Sequence, residues 1–77
     1  TEDRRREYTV KVKNMAEEAK VAIRNIRRDV NDSIKKDKTI PEDTQKDMLD
    51  DVQKSTDEFI KKIDEIAAKK NKEIMKV

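Results

Sequence analysis

Three arginines fall within five residues of the stretch AIRNIRRDVND, residues 22–32: Arg24, Arg27 and Arg28. Like charges this close repel, so either they spread over a solvated surface or they await a polyanion. On a helical wheel with Arg24 at zero, Arg28 lies at about 40°, Arg27 at about 300° and Lys20 at about 320°. Ala19, Ile23, Ile26 and Val30 fall at about 200–260°, and Asp29 and Asp32 at about 140° and 80°. The cations thus form a stripe beside an apolar seam and apart from the acids that would neutralise them. Guanidinium forks suit bidentate contacts to phosphate or guanine better than lysines do, and each phosphate neutralised releases counterions. Arg27, next to Ile23 and Ile26, is expected to pack its stem and so hold its guanidinium in place. The bland alternative is a solvated face with local interactions, Glu17 with Lys20 at i, i+3, worth about 0.2–0.5 kcal/mol, or Arg24 with Glu18.

Other chemistry finds little support. The chain has no His and no Cys, which removes the commonest general base, the commonest metal ligand and any thiol or disulfide. Ser33 and Ser55 have no partner to activate them, so no catalytic residue is assigned and an enzyme is not expected. Acidic residues cluster at Glu42, Asp43, Asp47, Asp50 and Asp51, but calcium loops need a Gly bend and irregular backbone that are missing here. A solvated acidic face is the expectation, with no metal and no cofactor. Tyr8 and Phe59 lie on apolar stripes and read as packing residues rather than stacking platforms.

These side chains must be carried by helices. Of the 77 residues, 49% are charged and 32% hydrophobic, with one Pro and no Gly, a composition that lacks the turn residues of most sheet proteins. Disorder shares that composition, but periodicity argues against it. Tyr8, Val12, Met15, Ala19, Ala22/Ile23, Ile26, Val30 and Ile34 recur in steps of three and four. So do Leu49, Val52, Thr56, Phe59, Ile63, Ile66, Lys70, Ile74 and Val77, with Thr56 and Lys70 as weak points. Thr1 suits an N-cap, and Pro41, tolerated in a first turn, marks the start of a second helix. The spacing therefore predicts an all-α fold of two long antiparallel helices, a helical hairpin broken around residues 36–41.

Charge divides unevenly between the two halves. Residues 1–36 hold eleven Lys/Arg against seven Asp/Glu, a net of +4, and residues 37–77 hold nine Lys against eleven acids, a net of −2. The basic character therefore sits on the first helix, where it bears on partners rather than on fold. Each apolar stripe is also wider than one helix contact needs, with Met48, Ile60 and Met75 flanking the second. Cover from a third helix or from a second copy of the hairpin is expected. No apolar run approaches the roughly 20 residues of a membrane span, and no signal peptide opens the chain, so a soluble intracellular protein without membrane contact is expected.

Specific residues add a resemblance. AEEAKVAIRNIRRDVND (16–32), DDVQKSTDEFIKKIDEI (50–66) and KNKEIMKV (70–77), opened by TEDRRREY, resemble the C-terminal part of the ribosome recycling factor family over essentially the whole chain. The resemblance implies two of the three helices of an elongated bundle. By that resemblance residues 1–77 are expected to form a single portion of the bundle domain, without the family's first helix and inserted β-rich domain. It further implies contact with large-subunit ribosomal RNA through Arg24, Arg27 and Arg28, with Lys20 a weaker neighbour. Disassembly of the post-termination ribosome together with elongation factor G is implied for the whole factor, in a bacterial cytoplasm or an organellar matrix or stroma. The loop at 35–41 looks shorter than the family's, Pro41 stands where a capping Ser is common, and Ser55 replaces a usual Leu. The alternative of a different class is a non-catalytic protein-interaction hairpin that self-associates into a four-helix bundle.

Overall fold

The computed structural model describes residues 1–76, which form helix α1 (Glu2–Lys36) and helix α2 (Glu42–Met75), with no strand among them. Cross-helix contacts run in opposite directions along the two, Lys20 meeting Asp64 and Arg27 meeting Gln53, so the helices are antiparallel. The product is a rod measuring 59 × 15 × 8 Å.

Both helices begin where their ends can be satisfied. Thr1 caps α1, its Oγ1 accepting the Arg4 N–H at 3.3 Å, and Glu2 and Asp3 lie in the first turn, where the helix dipole favours anions. The α1 C-terminus carries Lys35 and Lys36, of the sign its dipole favours. Asp37 then leaves the helix in an extended conformation, and its carboxylate accepts from both the backbone N–H and the hydroxyl of Thr39. Those two hydrogen bonds hold the Asp37 carboxyl below its ordinary pKa. The Gln45 side chain donates to the Asp37 carbonyl at 2.9 Å and ties the turn to α2. Pro41 sits one residue ahead of α2 rather than within its first turn: its ψ of 148° is not helical, although its carbonyl accepts the Gln45 N–H at 2.9 Å. As an N-cap it offers no side-chain acceptor, and its missing N–H leaves no donor unmet.

The seam between the helices is narrower than the periodicity. Val12, Ala16, Ala19, Ile23 and Ile34 of α1 face Leu49, Val52, Thr56, Ile60, Ile63, Ala67 and Ile74 of α2, all buried or half-buried. Thr56, a weak point in the sequence pattern, is one of the two buried residues among those described, beside Ile34. Its hydroxyl is satisfied within the helix, donating to the Val52 carbonyl at 2.7 Å. Lys70 is exposed, and Val77 lies outside the described residues. Asn31 and Asn71 bury their Oδ1 atoms without a hydrogen-bond partner among the described residues. Each such orphan costs about 1–3 kcal/mol.

Other members of the two stripes remain open to solvent. Met15, Ile26, Phe59 and Ile66 are 65%, 61%, 58% and 68% exposed. They line two apolar hollows along the hairpin. One, of about 460 Å³, is bounded by Ile23, Ile26, Val30, Val52 and Phe59, and the other, of about 410 Å³, by Val12, Met15, Ile63 and Ile66. Ser55 lies in the wall of the first. A two-helix contact buries one line of side chains per helix. The second line, about 60–80° round the wheel, belongs to a groove that the hairpin itself cannot close.

Candidate nucleic-acid interface

Positions 20, 24 and 28 follow one another at i, i+4 along α1, and position 27 stands beside them on the side nearer α2. At 1.5 Å per residue this ridge extends about 12 Å. On the same wheel the groove residues Met15 and Ile26 lie at about 180–200°, so Arg24 and Arg28 point almost directly away from the groove. Arg24 and Arg28 thus face away from the apolar surface, and Arg27 stands at its border.

The four cations are held differently. Arg28 is exposed, and its Nη1 donates to Asn25 Oδ1, one turn back, at 3.4 Å. Arg24 is half-exposed, with no side-chain hydrogen bond or ion pair among the described residues; the sequence-derived pairing with Glu18 does not form. Arg27 is half-buried and lies in the wall of the larger hollow alongside Ile23, Ile26 and Val52. Its Nη1 reaches across the seam to Gln53 Oε1 at 3.5 Å. Among the described residues no carboxylate lies within ion-pair distance of these three guanidiniums, Asp29 and Asp32 included.

Lys20 stands apart from them. Its ammonium lies 2.8 Å from Asp64 of α2 and 2.9 Å from Glu17, and its side chain is only 13% exposed. The hydrogen bonds to Asp64 and then Glu17 raise its pKa above the ordinary 10.5. The sequence places Lys20 on the ridge, and the structure commits its charge to joining the two helices. Asp64 is 44 positions away, so only the register of α1 against α2, which periodicity leaves open by about a turn, reveals the pair.

Sequence reasoning also missed Asn25, Gln53 and Asp57. Gln53 and Asp57 are an i, i+4 pair on α2, joined by a hydrogen bond from Gln53 Nε2 to Asp57 Oδ1 at 2.9 Å. That spacing is visible in the chain. Its meeting with Arg27 is not, for the same reason of register.

The acidic residues at the start of α2 do not converge: among the described residues no group of three or more carboxylates is placed to hold a metal ion. Among the described residues no helix is long and apolar enough to cross a membrane. The arrangement can offer planar N–H donors and positive charge to an anion.

Fold and site together define a helical hairpin with an arginine ridge on one side and an uncovered apolar groove on the other. The family follows from comparison with known proteins. The profile of the family described as "Ribosome recycling factor" matches residues 1–75, and the chain belongs to that family. A ribosome-recycling factor of Leuconostoc mesenteroides is 56% identical over 77 residues, covering all of this chain and 42% of that protein. Those of Staphylococcus epidermidis and Cupriavidus metallidurans are 54% and 55% identical, again over the whole of this chain and 44% and 43% of theirs. The chain therefore spans less than half the length of the curated relatives it matches. No solved structure matches it.

Proposed function

We propose that these 77 residues are the RNA-contacting portion of a ribosome recycling factor. In this reading Arg24, Arg27 and Arg28 grip phosphates of large-subunit ribosomal RNA, and Lys20 maintains the hairpin beneath them. The apolar groove receives a further helix of the same protein, completing a three-helix bundle. The observation that carries the reading is the trio of guanidiniums on one ridge with no carboxylate within ion-pair distance among the described residues. A helix that needed them only for solubility could use the lysines that fill α2, and Arg forks add bidentate geometry to charge. The role is one of binding without catalysis. Release of the post-termination ribosome, and cooperation with elongation factor G, belong to the whole factor, in a bacterial cytoplasm or an organellar matrix or stroma.

The test is replacement of Arg24, Arg27 and Arg28 by Ala in the full-length chain, with affinity for large ribosomal subunits measured at two salt concentrations. Weaker binding is expected, with the log–log salt slope shallower by about two to three, one for each phosphate released. Unchanged affinity with an unchanged slope would end the reading.

A second reading rests on the groove alone: two hairpins cover each other's apolar faces as a self-associating interaction module. Sedimentation of the 77-residue chain across a concentration series separates the two. A monomer at all concentrations removes the self-association reading.

A further inference from the structure

We infer that Gln53 is a positioning residue for Arg27, holding its guanidinium with a neutral acceptor while keeping the Asp57 carboxylate occupied. The inference rests on the proposed RNA contact and assigns that contact a support on the opposite helix. Three features carry it. Arg27 is half-buried and shares the wall of the larger hollow with Ile23, Ile26 and Val52, so less of its side chain is free to move than that of exposed Arg28. The Gln53 amide lies at the tip of that side chain, Oε1 toward Arg27 Nη1 at 3.5 Å. Its other end donates to Asp57 Oδ1 at 2.9 Å, and because Asp57 can only accept, the amide is fixed with its oxygen facing Arg27.

The neutrality of Gln53 matters. A guanidinium carries five N–H donors, and one long contact to an amide oxygen leaves its charge and most of those donors for a phosphate. Lys20 shows what a carboxylate does in an equivalent cross-helix position: Asp64, at 2.8 Å, converts a ridge cation into an internal ion pair. Asp57 is the carboxylate that could do the same to Arg27, since it lies one helical turn, about 6 Å, along α2 from Gln53. The Gln53 amide stands between the two and satisfies each. Remove it, and Arg27 gains an internal partner that competes with RNA.

The experiment compares four variants in the full-length chain by affinity for large ribosomal subunits at two salt concentrations: Arg27→Ala, Gln53→Met, Gln53→Glu and Gln53→Met/Asp57→Asn. Gln53→Met keeps the stem and removes both amide bonds. It is expected to weaken binding about 3- to 10-fold and to reduce the salt slope toward that of Arg27→Ala, by about one. Gln53→Glu, pairing directly with Arg27, is expected to match Arg27→Ala. Adding Asp57→Asn to Gln53→Met removes the competing charge and is expected to restore affinity to within about two-fold of the parent. A merely structural role for Gln53 predicts no such rescue, so a double variant as weak as Gln53→Met would overturn the inference. Parental affinity in both Gln53 variants, with Arg27→Ala weak, would overturn it while leaving the RNA contact standing. Parental affinity in Arg27→Ala would overturn both.

Discussion

On the groove side of the hairpin, Met15, Ile26, Phe59 and Ile66 lie open in two apolar hollows; on the ridge side, Arg24 and Arg28 project from α1 in nearly the opposite direction to Met15 and Ile26. Both surfaces are incomplete, but differently. Apolar side chains in water represent packing energy not yet realised, about 1.5–3 kcal/mol for each large residue that becomes fully covered. Unpaired guanidiniums represent charge not yet neutralised, whose gain appears only with a polyanion and fades with salt. The groove therefore governs whether the protein stands up, and the ridge governs what it touches. Substitutions should sort by face accordingly.

The largest effect is expected on the groove. If a further helix covers it, Phe59→Ala in the full-length chain should cost about 3–5 kcal/mol in denaturant unfolding. The same change in the 77-residue hairpin, where Phe59 is already wet, should cost under about 1 kcal/mol. Equal losses in both chains would break the contrast between the faces. Ile34→Ala, at the buried loop end of the seam, should cost about 2–4 kcal/mol in either chain, because its burial needs no third helix.

Ridge changes should spare stability. Arg27→Lys retains charge but loses the fork, so its salt slope should stay parental while affinity falls, by about 1 kcal/mol or more. A lost slope in that variant would show that charge alone was never the common term. Lys20 sharpens the comparison from the other side. Its pKa is raised in the folded state, so its stabilisation is fully present below about 10.5 and is lost as pH rises through the higher folded value. Lys20→Met should flatten the alkaline limb of the unfolding curve and change ribosome affinity less than about two-fold.

The smallest effect concerns the turn. The Asp37 carboxyl is held below its ordinary 3.8 by Thr39, so its contribution is present above that pH and fades as pH falls through the lowered folded value. Asp37→Asn should remove that acid-side dependence, read by thermal unfolding between pH 5 and about 2.

The two faces were unequally legible in the chain. Helix type, length and the break before Pro41 followed from three-four spacing and a single proline, because a helix needs only local periodicity to declare itself. The excess width of the stripes was also visible, and it correctly implied an uncovered groove. Which stripe members meet across the seam was not: Ile60 and Ala67 are half-buried there while Phe59 and Ile66, in step with the periodicity, are exposed, and Thr56 is buried with its hydroxyl satisfied internally. The arginine stripe is legible from residue type and spacing, as a candidate for a polyanion contact. Its surroundings were hidden, since Asp64 against Lys20 and Gln53 against Arg27 depend on the register of two helices whose side chains interlock only in three dimensions. One turn of slip would have exchanged a neutral partner for a charged one.

The division of labour between the faces can be measured in one experiment. Val21→Cys places a photo-crosslinker on the exposed surface near Arg24 and Arg28, at about 60° on the wheel, and Ile66→Cys places it in the groove. With each labelled full-length chain bound to large ribosomal subunits, the Val21 probe should attach to ribosomal RNA and the Ile66 probe to its own polypeptide. RNA attached to the Ile66 probe, or none attached to the Val21 probe, would contradict the assignment of the ridge to nucleic acid and of the groove to protein.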